Sequence, residues 1–371
     1  MNNKILHITT AHKKNDIRIF QKEISSLHKS GFNISLIVQN DKDENIDGIN
    51  IYSVPHSKNR FDRFIFTNIR IIYRVIKINP SICHFHDPDF IFGAVFLSIL
   101  GKKIIYDVHE DVPKQIMSKY WIPSILRRFI SISFNIVEKF CVKFFFTSII
   151  AATDSISKNF PDYKTVVINN YPIINDLTQI NQDYKNKENS IIYIGGISII
   201  RGIYEILDAF EKIKEQDVKL YLAGSFENEN LKNEILNRIK NNKNIVFLGF
   251  LERKELLKYI KKSQLGLVLF HPEQNHIEAS PNKMFEYMSL GVPVLASDFP
   301  LWLEIISKNQ CGVNANPLDP NEIASQITQL ISDPQKAFEL GQNGIKVVNE
   351  KFNWNIEEKK IIKLYENIIN V

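Results

Sequence analysis

Short apolar runs rich in Ile, Val and Leu alternate along the chain with longer segments whose apolar residues recur at helical spacing. Such runs predict buried strands, and their alternation with helices predicts parallel βαβ units. In the first half we predict strands at 4–8, 33–38, 49–54, 82–85, 103–108 and 148–152. The second half restarts the pattern, with strands predicted at 190–194, 219–223, 245–248, 265–270 and 292–296. The fold class is therefore α/β, with two doubly wound, Rossmann-like domains facing across a cleft.

The two halves are separated by a polar stretch without periodicity, residues 171–188, which is the best linker in the chain. We predict a first domain over residues 1–172 and a second over 189–350. A final helix is predicted over 351–371, where apolar residues again recur at helical spacing.

The composition is that of a soluble globular protein, with 44% hydrophobic and 23% charged residues. Cys83, Cys141 and Cys311 lie too far apart for a metal motif or a disulfide framework, which favours a reducing cytoplasm. The apolar part of MNNKILHITT is too short for a signal peptide and suits a strand.

Positive charge is concentrated in the first half, where residues 1–170 contain 23 Lys and Arg against 15 Asp and Glu. Residues 58–77 and 113–146 each carry six basic residues and one acidic residue among aromatic and aliphatic ones. Basic amphipathic helices of this kind suit an anionic membrane surface; the alternative is a core-facing helix with a solvated basic face. No nucleic-acid recognition motif accompanies them, so we expect no nucleic-acid partner.

Ligands of doubly wound sheets bind beyond the carboxyl ends of the strands, so the residues that follow each strand are candidates. The first strand is followed by TTAHKKNDIRIFQKE, in which Asp16 and Arg18 open a helix. The G-x-G-x-x-G of a dinucleotide site is missing there, which argues against a nicotinamide or flavin enzyme.

Histidines and carboxylates follow two further strands of the first half. HFHDPDF supplies His86 and Asp87, and YDVHEDVP supplies His109, Glu110 and Asp111. A metal site is conceivable, but neither segment has the paired histidines of a helical zinc site. Recognition of a hydroxyl-rich substrate is the simpler interpretation, with a structural hydrogen-bonding role as the alternative.

Glycines follow the first strand of the second half, in YIGGISIIRG. Gly195 and Gly196 allow a backbone to approach a ligand closely, and Gly224 is a further candidate for this role. The guanidinium of Arg201, at the mouth of the next helix, suits phosphate oxygens.

The segment EASPNKMFEYMSLGVPVLASD predicts a loop, a helix and a strand. Ser280 is expected to cap the helix, with Pro281 in its first turn and Gly291 ending it. Lys283 then lies where the helix dipole disfavours a cation by roughly 0.3–1 kcal/mol. Either an anion docks beside it, or the lysine is simply solvated. Glu278 and Glu286 could accept hydroxyls, or form a general acid and base pair.

The spacing of Glu278 and Glu286, followed by GVPVLASD, resembles the E-x7-E signature of family 4 retaining glycosyltransferases of the GT-B fold. NDIRIFQKEISSLHKSGFNISLIV, YDVHEDVP and YIGGISIIRG also resemble segments of the branch that builds bacterial surface polysaccharides, such as O-antigen, capsule or exopolysaccharide. These blocks in this order extend the resemblance over most of the chain.

The resemblance implies that the second domain binds a nucleotide-sugar donor, that the first binds the acceptor, and that the last helix crosses back to the first domain. It implies a catalytic role for His109, Arg201 and Glu278, without a metal or other cofactor. Glu286 would hold the ribose, Glu278 the donor sugar, and the helix after Pro281 would point at the diphosphate. The implied donor-binding residues are Gly195, Gly196, Arg201, Gly224, Glu278, Ser280, Pro281, Asn282, Lys283 and Glu286. The implied acceptor-binding residues are Asp16, Arg18, His86, Asp87, Glu110 and Asp111.

The chain departs from the family pattern at one position. Many members carry Arg immediately after the first glycine and Lys several residues on; here those places are Gly196 and Arg201. We predict that Lys283 supplies the missing cation. The interpretation is a cytoplasmic glycosyltransferase, peripheral on the inner face of the cell membrane, that moves a sugar, most simply from a UDP carrier, to a lipid-linked saccharide. The alternatives are a nucleotide-sugar 2-epimerase of the same architecture and a non-catalytic scaffold.

Overall fold

The computed structural model describes residues 4–119, 122–174, 187–214 and 217–370. The chain forms two compact units, residues 1–170 together with 354–371, and residues 171–353. Most of the predicted linker lies outside the described residues, so the domain boundaries at 172 and 189 stay predictions.

The first unit is built on a single sheet. Within the described residues its strands are β1 (Ile5–Ile8), β2 (Ile34–Gln39), β3 (Glu44–Ile46), β4 (Ile49–Val54), β5 (Ile82–Phe85), β6 (Lys103–Val108), β7 (Ser148–Ala151) and β8 (Thr165–Val167). Their order is β3-β4-β2-β1-β5-β6-β7-β8, and only the β3–β4 pair is antiparallel. All six strands predicted in this half are present. The short β3 and β8 were missed because neither carries a buried apolar run.

Helices flank this sheet. Within the described residues they are a helix with wide, π-type turns (Ile17–Ile24), α1 (Ser25–Lys29), α2 (Arg60–Asp62), a second π-type helix (Arg63–Thr67), α3 (Asn68–Ile78), a 3-10 turn (Pro88–Phe90), α4 (Ile91–Ile99), α5 (Val112–Met117), α6 (Ser124–Phe144), α7 (Asp154–Ser157) and a 3-10 turn (Asp162–Lys164). The strand side chains are buried on both faces of the sheet, as the continuous apolar runs predict.

The second unit is built on a fully parallel sheet. Its described strands are β9 (Ser190–Ile194), β10 (Lys219–Ala223), β11 (Ile245–Gly249), β12 (Leu265–Val268), β13 (Val294–Ser297) and β14 (Gly312–Ala315). Their order is β11-β10-β9-β12-β13-β14. The described helices are a 3-10 turn (Ile199–Arg201), α8 (Ile203–Lys212), α9 (Glu229–Ile239), α10 (Arg253–Lys262), α11 (Gln274–Ile277), α12 (Asn282–Ser289), α13 (Pro300–Ile305), α14 (Pro320–Ser332) and α15 (Pro334–Glu350).

The last helix, α16 (Trp354–Asn370), belongs to the first unit. The indole of Trp354 donates to the Ser26 hydroxyl at 2.9 Å, and the carboxylate of Glu357 accepts from the backbone N–H of Asn169 at 2.9 Å. Both contacts are buried, so they tie α16 to α1 and to the segment after β8.

The strand order reverses direction once in each sheet, between β1 and β5 and between β9 and β12. Such switch points leave a crevice beyond the carboxyl ends of the two strands, and this is where ligands bind in doubly wound sheets. Across the described residues, none of the helices combines the length and the apolar character needed to span a membrane.

Candidate active site

The polar segments that follow β1, β5 and β6 meet at one edge of the first sheet, because these three strands are hydrogen-bonded neighbours. The loop after β1 is organised by Asp87, which follows β5. The Asp87 carboxylate accepts from the Thr9 hydroxyl at 2.7 Å and from the Thr10 backbone N–H at 2.6 Å. It also pairs with His12 at 3.1 Å.

Burial alone would raise the pKa of Asp87, but the hydrogen bonds from His12, Thr9 and Thr10 outweigh it and lower the pKa. The same hydrogen bond from His12 to Asp87 raises the pKa of His12. Asp87, a predicted acceptor-binding residue, therefore already uses its carboxylate to shape this loop.

Asp16 and Arg18, two further predicted acceptor-binding residues, also have partners within the unit. Asp16 caps the helix that starts at Ile17 by accepting from the backbone N–H groups of Arg18 and Ile19, both at 2.9 Å. Arg18 is buried and donates to both carboxylate oxygens of Asp107, from Nη2 at 2.8 Å and from Nε at 3.1 Å.

Asp107 lies at the centre of the site, and the sequence analysis did not single it out. Its fully buried Oδ2 also accepts from His109 Nε2 at 2.7 Å and from His86 Nδ1 at 3.1 Å. Burial alone would raise the pKa of Asp107, but the charge of Arg18 and the bonds from the two histidines hold it well below its usual range. The available signal was a carboxylate inside an otherwise apolar strand, which requires a buried partner.

Three more polar side chains of the unit adjoin His86. His7 Nδ1 lies 2.9 Å from His86 Nε2, and the Tyr365 hydroxyl lies 3.0 Å from His7 Nε2 and 2.7 Å from His84 Nδ1. Burial lowers the pKa of His7, His84 and His86, so these rings are neutral at physiological pH.

Two groups of these side chains are compact enough to hold a metal ion. The ligand atoms of His7, Glu23, His84 and His86, and those of His86, Asp107 and His109, lie within 4.8 Å of one another. Both ring nitrogens of His7 and of His86 are already hydrogen-bonded within the protein. The expectation that no metal takes part in the reaction stays a prediction.

Glu110 and Asp111, also predicted to bind the acceptor, lie at the start of α5. Glu110 is exposed and accepts from the Gln115 side chain. Asp111 caps α5 by accepting from the Lys114 N–H at 3.0 Å, and it accepts from the Asn159 amide at 3.0 Å.

In the second unit, two glycines that follow β9 and one that follows β10 each have a different close neighbour. Gly195 has φ +103°, and a Cβ there would contact the end of the Lys283 side chain at 3.4 Å. A Cβ on Gly196 would come within 2.6 Å of Arg201 Nη1. Gly224 has φ +149°, and its Cβ would overlap the Gly195 carbonyl, so the protein backbone itself makes the close approach at this position.

The helix α12 begins one residue later than predicted. Pro281 occupies the N-cap position and no side chain caps the helix, so the prediction that Ser280 would be the cap was wrong. The reason is that Pro281 has extended backbone angles, with ψ 129°, which exclude it from the first turn. Asn282 is the first helical residue and is exposed, and Gly291 ends the helix with φ +66°, as predicted.

Lys283 is buried, with 9% exposure, so the solvated alternative was wrong. Its ammonium lies 4.0 Å from the ring centroid of Tyr193 and 5.1 Å from that of Phe270. No hydrogen-bond partner for it is present among the described residues. Burial, with a smaller contribution from Arg201, holds the pKa of Lys283 well below its usual range.

Arg201 lies beside the same aromatic ring, 5.5 Å from the Phe270 centroid, and donates to the Gly196 carbonyl at 3.3 Å. Glu286, one turn further along α12 than Lys283, pairs with Arg253 at 3.0 Å. Glu278 is exposed directly after α11, in a loop that is anchored where the Trp302 indole donates to the Ala279 carbonyl at 2.7 Å. The structure thus brings Gly195, Gly196, Arg201 and Lys283 together in the second unit.

Comparison with known proteins agrees with these features. Residues 176–347 match the family described as "Glycosyl transferases group 1". Over 99% of its length the chain is 23% identical to the capsular polysaccharide biosynthesis glycosyltransferase CapM of Staphylococcus aureus, and the alignment covers 98% of that protein. It is 27% identical to an uncharacterized glycosyltransferase of Methanocaldococcus jannaschii over 49% of this chain and 46% of that relative.

Among solved structures, Anabaena HepE in complex with UDP-glucose superposes with a TM-score of 0.75 at 15% identity, covering 98% of this chain and 99% of that one. Together with the two sheets, which are parallel except for the β3–β4 pair, this likeness confirms the predicted GT-B fold.

Proposed function

We propose that the chain, whose residues 176–347 match the glycosyl transferases group 1 family, moves a sugar with retention from a UDP-sugar to a lipid-linked saccharide. The product would be part of a bacterial surface polysaccharide. The similarity to a capsular polysaccharide enzyme and the fold shared with a protein that binds UDP-glucose support this assignment.

The observation that carries the proposal is the pair of cations at the start of α12 and α8. In the described part of the chain, neither Arg201 nor Lys283 forms an ion pair, and Lys283 has no hydrogen-bond acceptor although it is buried. A buried ammonium without an acceptor lowers the stability of the folded protein unless a ligand supplies the acceptor. A diphosphate supplies two negative charges, and the N–H groups of the first turn of α12 add positive potential for it.

The surroundings of Gly196 support the proposal that Lys283 replaces one cation of the family pattern. A side chain at this position would collide with Arg201 Nη1, so Arg201 occupies the space that the family's usual arginine would take. The second cation of the family pattern is then lacking, and Lys283, whose side-chain end lies beside Gly195, is placed to replace it.

The other donor contacts follow from the resemblance. Glu286 would accept the ribose hydroxyls, with Arg253 orienting its carboxylate. Glu278 would accept hydroxyls of the sugar, and His109 would contact the sugar near its reacting carbon. Departure of the diphosphate adds negative charge on its oxygens, so preorganised cations stabilise the transition state more than the ground state. We assign no protein base, because the leaving diphosphate can take the proton of the acceptor hydroxyl.

A membrane-borne acceptor fits the surface of the first unit. The helix α4 contacts both α3 and α6. Large apolar side chains on these helices and the segment before them are exposed, namely Phe61, Phe64, Phe66, Ile69, Tyr73, Ile76, Phe92, Phe96, Ile99, Ile125, Leu126, Phe129, Ile132, Ile136, Phe140 and Phe144. An exposed apolar surface of this extent marks an interaction site.

Charge favours an anionic lipid membrane as the partner of this surface. The same segments carry Arg60, Arg63, Arg70, Arg74, Lys77, Arg127, Arg128, Lys139 and Lys143. Each basic residue near an anionic leaflet contributes about 1 kcal/mol of attraction. We therefore propose that the protein works at the inner face of the cell membrane, where the lipid-linked acceptor would lie.

The test of the donor site is thermal unfolding of the purified protein with UDP, GDP, ADP or CMP. A ligand at a hundred times its dissociation constant adds about 2.7 kcal/mol to the stability of the folded state. We expect a shift with UDP that is lost in Arg201→Ala and kept in Lys240→Ala, a control at an exposed lysine of the same unit. Absence of a shift with all four nucleotides would overturn the proposed donor site and favour the scaffold alternative.

A further inference from the structure

The protons of the buried histidine cluster can be assigned from its hydrogen bonds, given an ionised Asp107 and neutral buried rings. Asp107 is ionised and can only accept, so both nitrogens that face its Oδ2, His86 Nδ1 and His109 Nε2, must donate. The 3.4 Å separation between these two nitrogens is therefore a contact between two donors that share one acceptor.

The assignment continues through the cluster without conflict. Neutral His86 leaves Nε2 as an acceptor, so His7 must donate to it from Nδ1 at 2.9 Å. His7 Nε2 then accepts from the Tyr365 hydroxyl at 3.0 Å, and the Tyr365 oxygen accepts from His84 Nδ1 at 2.7 Å. All bonds run in one direction, from His84 towards Asp107.

The beginning of this series of hydrogen bonds, at His84, is consistent with the same direction. His84 Nε2 is left as an acceptor, and it faces Glu23 Oε2 at 4.0 Å. Burial, together with the nearby charge of Asp107, raises the pKa of Glu23 well above its usual range. The 4.0 Å separation is too long for a hydrogen bond, and neither atom has another hydrogen-bond partner among the described residues, so the order of protons from His84 to Asp107 does not depend on Glu23.

We propose that Asp107, held by Arg18 and His86, is a positioning residue that keeps the His109 proton on Nε2, so that Nδ1 is the ring atom left to accept from a ligand hydroxyl. This inference rests on the proposed function. Asp107 is fully buried, whereas the His109 side chain is 19% exposed, so only the histidine can reach a ligand. With Nδ1 unprotonated, His109 accepts from a hydroxyl and discriminates against a sugar that lacks it.

The direct test needs no substrate. Nuclear magnetic resonance of the whole protein with 15N-labelled histidine distinguishes the two neutral tautomers, and the His109 signals are identified by their loss in His109→Gln. We expect His109 protonated at Nε2 at about pH 8. A ring protonated at Nδ1 would overturn the proposal, and this outcome does not depend on whether a sugar donor has been found.

The second test uses Asp107→Asn. The asparagine side chain can present its NH2 group to His109, which favours the opposite tautomer. We expect a change of tautomer and a loss of turnover of about a hundredfold, the size of effect that misplacement of a reacting group causes. The UDP-dependent thermal shift should be unchanged, since that site is in the second unit.

Tyr365→Phe is the matched control, because it removes a hydrogen bond from the same cluster without touching Asp107 or His109. We expect its His109 tautomer to be that of the wild type and its turnover to stay within about twofold. An equal loss in both variants would indicate general loosening of the core and would overturn the positioning role. If Asp107→Asn fails to fold, the His109 tautomer of the wild type tests the proposal by itself, and protonation at Nδ1 would overturn it. Lack of transfer with every donor, with the Nε2 tautomer present, would count against the proposed function and not against the positioning.

Discussion

The ammonium of Lys283 lies 4.0 Å from the centroid of the Tyr193 ring, in a buried place where no acceptor meets it among the described residues. Tyr193 is a residue of β9 and Lys283 a residue of α12, so the contact joins a strand at the switch point of the second sheet to a helix on the connection from β12 to β13. An aromatic face partly compensates a cation but does not replace an anion. This relationship is the basis of the proposal that Lys283 binds the diphosphate of the donor.

The substitution Lys283→Met should therefore change stability and binding in opposite directions. It keeps the apolar stem and removes an unsatisfied polar group, which should raise the free energy of unfolding without ligand by about 1–3 kcal/mol. The UDP-dependent shift in melting temperature should be lost. Urea unfolding with and without UDP measures both effects. A variant that is less stable but binds UDP normally would contradict the role given to Lys283.

Gly196→Ala should weaken nucleotide binding through Arg201. The new methyl group would lie 2.6 Å from Arg201 Nη1, so the guanidinium must move away from the Gly196 carbonyl. We expect UDP affinity to fall about tenfold, the equivalent of about 1.4 kcal/mol. Calorimetric titration measures it, and Arg201→Ala combined with Gly196→Ala is the control. Since Gly196→Ala acts through Arg201, it should have no further effect in the double variant.

Glu138→Gln should alter the pH dependence of stability. Burial raises the pKa of Glu138 to about 7, while the Tyr106 hydroxyl donates to it at 3.0 Å. Because the folded-state pKa lies above the unfolded one, the carboxyl group destabilises the protein as pH rises through about 7. Glutamine accepts the same hydrogen bond without ionising. We expect a gain on the order of 2–3 kcal/mol at pH 8 and almost none at pH 4.5, measured by urea unfolding. An equal gain at both values would show that ionisation is not the cause.

Phe129→Ser should weaken binding to anionic membranes. Phe129 is 68% exposed on α6 and lies next to Arg127 and Arg128. Loss of one inserted aromatic side chain costs roughly 1.5–3 kcal/mol of apolar transfer, so co-flotation with phosphatidylglycerol vesicles should fall at least tenfold. Phe250→Ser is the matched control, because Phe250 is 81% exposed in the second unit.

Two results of the flotation experiment would contradict the membrane proposal. One is equal binding by both variants, and the other is equal binding of the wild type to neutral phosphatidylcholine vesicles. Dimerisation of the wild type that Phe129→Ser abolishes, without any vesicle binding, would assign the surface to a second copy of the chain instead.

The strands and their alternation with helices could be predicted because each is a local property of the chain. A buried parallel strand needs a short continuous apolar run, and eleven such runs stand between polar or helical segments. The start of α12 was predicted wrongly for a related reason. Ser280 and Pro281 suit two registers of the helix start, and the local pattern does not choose between them.

The amino-acid order alone also places Glu278, Lys283 and Glu286 around one helix start and His109 after a strand, since these depend on spacing within a segment. The partners of these residues depend on the crossover connections of the sheets. Arg18 and Asp107 are 89 residues apart and His7 and Tyr365 are 358 apart, yet each pair is in contact because β1, β5 and β6 are neighbouring strands and because the helix Ile17–Ile24 packs against α16. Burial, and with it the direction in which the pKa of His86, Glu23 and Lys283 is shifted, was therefore decided by the tertiary structure, since desolvation depends on every neighbour that excludes water and not on the residue itself.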